Sequence, residues 1–187
     1  MSKTIKVGVD FDGVLAYNPF RVARAIVAFV KGRVLGVRTL RFFVPKNSWQ
    51  RFIWAILHES SVFPAIGGAF LKSLARNKRY EFYLVTSRFG FLEPQLTAWL
   101  RRWKFTSVFR SIEINHDHEQ PHEFKARIAK KLDLDYFIED NWDIVEHLNK
   151  TTRVKVLWIY NILDRGRAYR NKFPYLEKAL LKIQQET

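Results

Sequence analysis

Apolar, β-branched runs that alternate with amphipathic stretches constrain the fold of this chain more than any other feature. The strand-like runs are TIKVGVD, YEFYLVTS, SIEIN, DYFIED and VKVLWIYN. Each is followed by a segment with the three-to-four-residue apolar spacing of a helix: IGGAFLKSLARNKR, LEPQLTAWLRRW, PHEFKARIAKKL, NWDIVEHLNK and FPYLEKALLKIQQ. Because IGGAFLKSLARNKR precedes the second strand, an interval of different character separates it from the first. Pro94 and Pro121 stand near helix starts, where a missing N–H costs little. Strands regularly separated by helices predict a parallel sheet covered on both faces, an α/β fold of the three-layer, Rossmann-like kind.

The interval that breaks the rhythm is 17–64. It contains no strand-like run and suggests two helices, at 20–32 and 47–59, joined by LGVRTLRFFVPKN. We read it as a small helical cap inserted after the first strand, with 1–16 and 65–187 forming the core. Most of Trp49, Phe52, Ile53 and Ile56 are expected in the insert's own core. Phe42, Phe43, Trp49 and Trp54 also offer faces for stacking on a base or sugar.

Composition closes several routes. The 187 residues include no cysteine, which excludes disulfides, thiolate zinc sites and a thiol nucleophile. The most apolar helical stretch, RVARAIVAFVKGRVLGV, carries Arg24, Lys31 and Arg33 and is too short and too charged to span a membrane. With no signal-peptide pattern at the N-terminus, a cytoplasmic location is expected. The net charge of +14 favours anionic partners, whether phosphorylated metabolites, nucleic acid or an anionic surface. A solvated basic surface accounts for it equally well.

In open parallel sheets, ligands sit beyond the carboxyl ends of the strands, near the switch in strand order. Those ends carry Asp10 and Asp12 (first strand), Thr86 and Ser87 (second), NHDHE (third) and Glu139–Asp140, with Asp143 just after (fourth). Polar and acidic groups thus collect on one edge. The histidines of NHDHEQPHE, His116, His118 and His122, lack the helix-borne spacing of a zinc site and read as a polar loop at the rim.

DFDGVL resembles the first motif of the haloacid dehalogenase-like phosphohydrolases, YLVTS is similar to their second, and FIEDN to their fourth. Lys125, at the start of the helix before FIEDN, suits the family's lysine better than Lys130 or Lys131, which lie toward the helix's far end. The four elements occur in order between residues 5 and 143. The resemblance implies strand order 5-4-1-2-3, Asp10 as the nucleophile, Asp12 as the proton shuttle, and Mg²⁺ held by Asp10, the Asp12 carbonyl and Asp140. It also implies that Thr86, Ser87 and Lys125 bind the phosphoryl group. Such a centre hydrolyses phosphomonoesters through an aspartyl-phosphate.

Within that family, DFDGVLA and TSR look closest to the cytosolic deoxyribonucleotidase type, which implies a nucleotide 5′-phosphate. Phe20, Arg21 and Arg88 are candidates for contacting the rest of the substrate. Three other readings stay open: a phosphatase of nucleic-acid ends, a phosphotransferase on the same site, and a non-catalytic basic binder of nucleic acid or membrane that uses RGRAYRNK. The oligomeric state has no signature in the sequence.

Overall fold

The computed structural model describes residues 3–18, 47, 49 and 61–187. The strands are β1 (Ile5–Val9), β2 (Tyr80–Phe89), β3 (Phe109–Asn115), β4 (Tyr136–Glu139), β5 (Lys155–Ile159) and β6 (Lys172–Phe173). We number the described helices α1 (Gly68–Leu74), α2 (Glu93–Arg102), α3 (Pro121–Lys131), α4 (Trp142–Thr151) and α5 (Leu176–Glu186). The strands form one sheet in the order β3-β2-β1-β4-β5-β6, and all pairings are parallel. The expected five-strand order is therefore present. It differs in one detail, the two-residue β6, which extends the β5 edge and which the sequence reading left inside the approach to the last helix.

Alternation along the strands sorts the core into two layers. Val7, Val9, Phe82, Leu84, Ile138 and Leu157 face one side with Leu71 of α1, Leu96 and Leu100 of α2, and Leu180 and Ile183 of α5. Tyr83, Val85, Phe137, Val156 and Trp158 face the other, against Phe124 and Ile128 of α3 and Ile144, Val145 and Leu148 of α4. Burial of each such large apolar side chain stabilises the fold by roughly 1.5–3 kcal/mol relative to exposure. Both layers thus fix the sheet, and with it the strand ends that carry the polar groups.

Residues 15–17 and 63–65 meet in a short antiparallel junction. Ala16 bridges Pro64, the Tyr17 N–H donates to the Phe63 carbonyl at 2.8 Å, and the Ala65 N–H donates to the Leu15 carbonyl at 2.8 Å. The Trp99 and Trp103 indoles both donate to the Val62 carbonyl, at 3.0 and 2.9 Å. The helices expected at 20–32 and 47–59 lie outside the described residues except for 47 and 49, as do Phe20, Arg21, Phe42, Phe43, Phe52, Ile53, Trp54 and Ile56. Trp49, expected in the insert's core, is exposed. No described helix is long and apolar enough to cross a membrane.

Gly67 sits just after the junction with φ +107°, a left-handed conformation that L side chains avoid. A Cβ there would lie 2.3 Å from the backbone nitrogen of Glu177 in α5. Gly67→Ala is expected to destabilise the protein by about 2–4 kcal/mol, combining backbone strain with overpacking against a rigid neighbour. Urea unfolding followed by circular dichroism measures it. A loss below about 1 kcal/mol would show that α5 can withdraw from this contact.

Candidate active site

β1 lies between β2 and β4, with Val9 in register with Leu84 and Ile138. Its last ladder bond, from the Asp10 N–H to the Ile138 carbonyl at 3.0 Å, places Asp10 level with Glu139. This is the switch point, since β2 and β4 leave β1 in opposite directions across the sheet. Gly13, at φ +85°, turns the chain away just beyond, and the Gly13 N–H donates to the Ala16 carbonyl at 2.8 Å.

Asp10, Glu139 and Asp140 are all buried. Each can offer one oxygen so that the three lie within 4.8 Å of one another, and they form the one such metal-ligating group among the described residues. Lys125, buried on α3, stands between two of these acids. Its Nζ is 2.9 Å from Asp10 and donates to Glu139 at 2.6 Å. Lys130 and Lys131 are exposed at the far end of the helix. Of the three lysines weighed in the sequence, Lys125 is the one the structure brings to the acids.

The electrostatics are those of a site short of positive charge. Burial, and then the charge of Glu139, raise the Asp10 carboxyl well above the usual carboxylate range, and Lys125 offsets only part of this. Burial raises Glu139 too, with Lys125 opposing. Burial alone would lower the Lys125 ammonium, but Asp10 and Glu139 together outweigh it and hold the group above the ordinary lysine range. Three converging buried carboxylates with one ammonium paired to two of them, all offering hard oxygen donors, fit a small divalent cation.

Thr86 is buried at the end of the regular part of β2. Its Oγ1 accepts from the Arg88 N–H at 3.2 Å, which leaves its own O–H to donate. The Ser87 Oγ is buried and meets no hydrogen-bond partner among the described residues. Between Thr86 and Phe89 the register with β3 shifts, so Ser87 and Arg88 stand in a bulge before Phe89 pairs with Asn115. Bulges of this kind re-aim side chains at sheet edges.

The structure places Arg88 on Asp12. Nε donates to Oδ2 at 2.8 Å and Nη2 to Oδ1 at 2.7 Å, a bidentate pair with both side chains buried. The guanidinium also lies 4.5 Å from the Phe11 ring centre. The Ser61 Oγ donates to Asp12 Oδ1 at 2.6 Å. Sequence reading offered Arg88 as a contact for a distal anionic group; in this arrangement its charge is directed inward. The only signal for that was its place directly after Thr86–Ser87. Nothing in the sequence pointed to Ser61, which is far from Asp12 along the chain.

The remaining candidates resolve into structure. Glu139, one of the two acids at the fourth strand end, is fully buried on Lys125 and also accepts from the Asn141 N–H at 3.0 Å. Asp143 is exposed in the first turn of α4, where its N–H donates to the Asn141 side chain, and it stands apart from the three converging acids. The NHDHE loop is a side-chain-braced turn: Asn115 Nδ2 donates to the Glu119 carbonyl at 2.7 Å, and Asn115 Oδ1 accepts from the Glu119 N–H at 3.0 Å. His118 packs on Phe89 and His122 on His147, so the histidines diverge.

No protein-family model and no curated protein matches the sequence. Solved structures do resemble the fold. One is a protein from Thermotoga maritima assigned as a beta-phosphoglucomutase, 17% identical with a TM-score of 0.63, covering 98% of this chain and 100% of its own. A second, the Bacillus subtilis protein YfnB, assigned as a HAD-hydrolase and bound to magnesium, is 11% identical with a TM-score of 0.60, covering 98% and 100%. A third, CbbY from Rhodobacter sphaeroides in complex with phosphate, is 15% identical with a TM-score of 0.58, covering 94% and 96%. At these identities the likeness concerns the fold: the chain has the α/β architecture found in haloacid dehalogenase-type hydrolases, with its buried acids at the switch point of the sheet.

Proposed function

We propose that the protein is a Mg²⁺-dependent phosphomonoesterase. The observation that carries this reading is the convergence of Asp10, Glu139 and Asp140 at the switch point, with Lys125 paired to Asp10 and Glu139 and with Asp12 and Thr86 on the same edge. A Mg²⁺ ion held by Asp10, the Asp12 carbonyl and Asp140 would offset the charge between the carboxylates and a phosphate dianion, which hard oxygen ligands suit.

The chain's own groups then divide the work. An Asp10 oxygen attacks phosphorus as the ester bond breaks, and the leaving oxygen takes a proton from Asp12. Water attacks the resulting aspartyl-phosphate, loses a proton to Asp12, and releases inorganic phosphate and the Asp10 carboxylate. The Thr86 O–H, together with a hydrogen-bonding group of Ser87, holds the transferring phosphoryl oxygens, and Lys125 balances their charge.

For the substrate, the DFDGVLA and TSR motifs favour a nucleotide 5′-phosphate. Proteins of similar fold include one assigned as a beta-phosphoglucomutase and a variant of CbbY in complex with xylulose-(1,5)bisphosphate, so sugar phosphates form the second class to test. The segment 17–64, read as the cap, is the natural place for that choice.

Phosphate release from an aryl phosphate, nucleoside 5′-monophosphates, sugar phosphates and a 5′-phosphorylated oligonucleotide tests the reading, with Mg²⁺ or with EDTA. We expect Mg²⁺-dependent turnover that EDTA abolishes, and Thr86→Ala to lower kcat/KM by on the order of a hundredfold. Turnover that persists in EDTA would remove the metal from the reading. No release from any ester would remove the reaction.

A further inference from the structure

The bidentate grip on Asp12 is a built feature. A bulge in β2 turns Arg88 out of the ladder, the Phe11 ring supports the guanidinium face, and the Arg88 N–H is tied to Thr86 Oγ1. Only arginine presents two parallel donors in this geometry. As a stability device the pair makes little sense, since burying both partners costs about as much as their attraction returns. Its placement next to Asp10, at the edge where the strands end, points to the reaction instead.

We propose that Arg88 is the positioning residue for Asp12, orienting its carboxylate for proton transfer. This rests on the phosphomonoesterase reading. Arg88 fixes both oxygens of Asp12, and Ser61, on the returning arm of the junction, adds a bond to Oδ1. The Asp12 side chain is thereby held in one rotamer. Oδ2 accepts from Nε, and Oδ1 from Nη2 and Ser61. Arg88 acts through Asp12 and does not grip the phosphate.

Leaving-group chemistry separates these roles. An alkyl phosphate needs a proton on its departing oxygen, whereas p-nitrophenyl phosphate departs without one. In kcat/KM, which reports phosphoryl transfer to the enzyme, Arg88→Ala and Arg88→Lys are expected to lose on the order of 10–100-fold on the alkyl ester. The loss on the nitrophenyl ester stays within about threefold, and guanidinium ion restores part of the alkyl activity of Arg88→Ala. Equal losses on both esters would mean that Arg88 binds phosphate or merely holds the fold, and no loss on either would mean it is idle; both overturn the proposal. Should Arg88→Ala fail to fold, Arg88→Lys, which keeps the charge without the fork, carries the same comparison. A readout independent of turnover is the Arg88 Nε–H resonance in ¹⁵N NMR. It should exchange slowly with solvent in the wild type and quickly in Asp12→Ala, and an unchanged rate overturns the contact itself. Wild-type protein inactive on both esters would sink the phosphatase reading and this role with it. An active wild type with equal losses sinks only the role of Arg88.

Discussion

Asp10→Asn is expected to stop phosphate release, by about a thousandfold or more, as removal of a nucleophile generally does, and to do so in a protein that melts no lower than the wild type. The second half follows from the charge balance. The Asp10 carboxyl is raised by burial and by Glu139, and Lys125 offsets only part of that, so its ionised form works against folding in the metal-free protein. The amide removes that charge, and Lys125 keeps Glu139 as its partner. The sign can be checked by pH. A carboxyl whose folded pKa is raised contributes stability below its unfolded pKa and loses it as pH rises toward the folded value. The variant's advantage in EDTA should therefore vanish at acid pH and widen as pH climbs above the ordinary carboxylate range. Thermal melts in EDTA from acid to neutral pH, paired with the Mg²⁺ assay, measure both halves. Retained turnover would displace Asp10 as the nucleophile, and a lower melting temperature at neutral pH would mean that Asp10 braces the cluster. Functional groups held against the preference of the fold are a recurrent source of such trade-offs.

Lys125→Met should produce the opposite stability effect. It leaves Asp10 and Glu139 buried and facing each other without their ammonium, and breaking a buried pair in this way costs about 3–5 kcal/mol. For a domain of this size that corresponds to a fall in melting temperature on the order of ten degrees. Lys125→Met combined with Glu139→Gln should recover a substantial part of the loss, because the second change removes the stranded charge; activity should remain absent. A double-mutant cycle by urea unfolding gives the coupling directly. If the single variant melts within two or three degrees of the wild type, the ammonium at the centre of the cluster is not what holds it together.

The parts of this molecule legible in its sequence are those where local pattern and chemistry coincide. IKVGV and YFIE are largely apolar because both faces of β1 and β4 are covered, and the acids at their carboxyl ends stand out against them. Lys125 was separable from Lys130 and Lys131 because helix periodicity places it beside the Phe124–Ile128 stripe, near the strand ends. The pairing of Arg88 with Asp12 was not legible. It depends on a register shift after Thr86, and a bulge leaves no mark on alternation in a strand that is buried along most of its length. Ser61 was equally hidden, since its bond to Asp12 arises from the return of the chain to the core rather than from any local pattern. The brevity of β6, two residues on the sheet edge, put it below what periodicity can register.

The junction at Ala16 and Pro64 has a consequence for how such a protein can be rebuilt. The outgoing and returning arms run side by side as the two legs of a hairpin, fastened to each other by main-chain bonds and to the core by two indoles. We expect a variant in which a tight turn joins those two legs directly to keep the sheet, as circular dichroism would report, and to differ from the full chain in the esters it accepts; loss of the sheet would show that the residues between the legs take part in the fold.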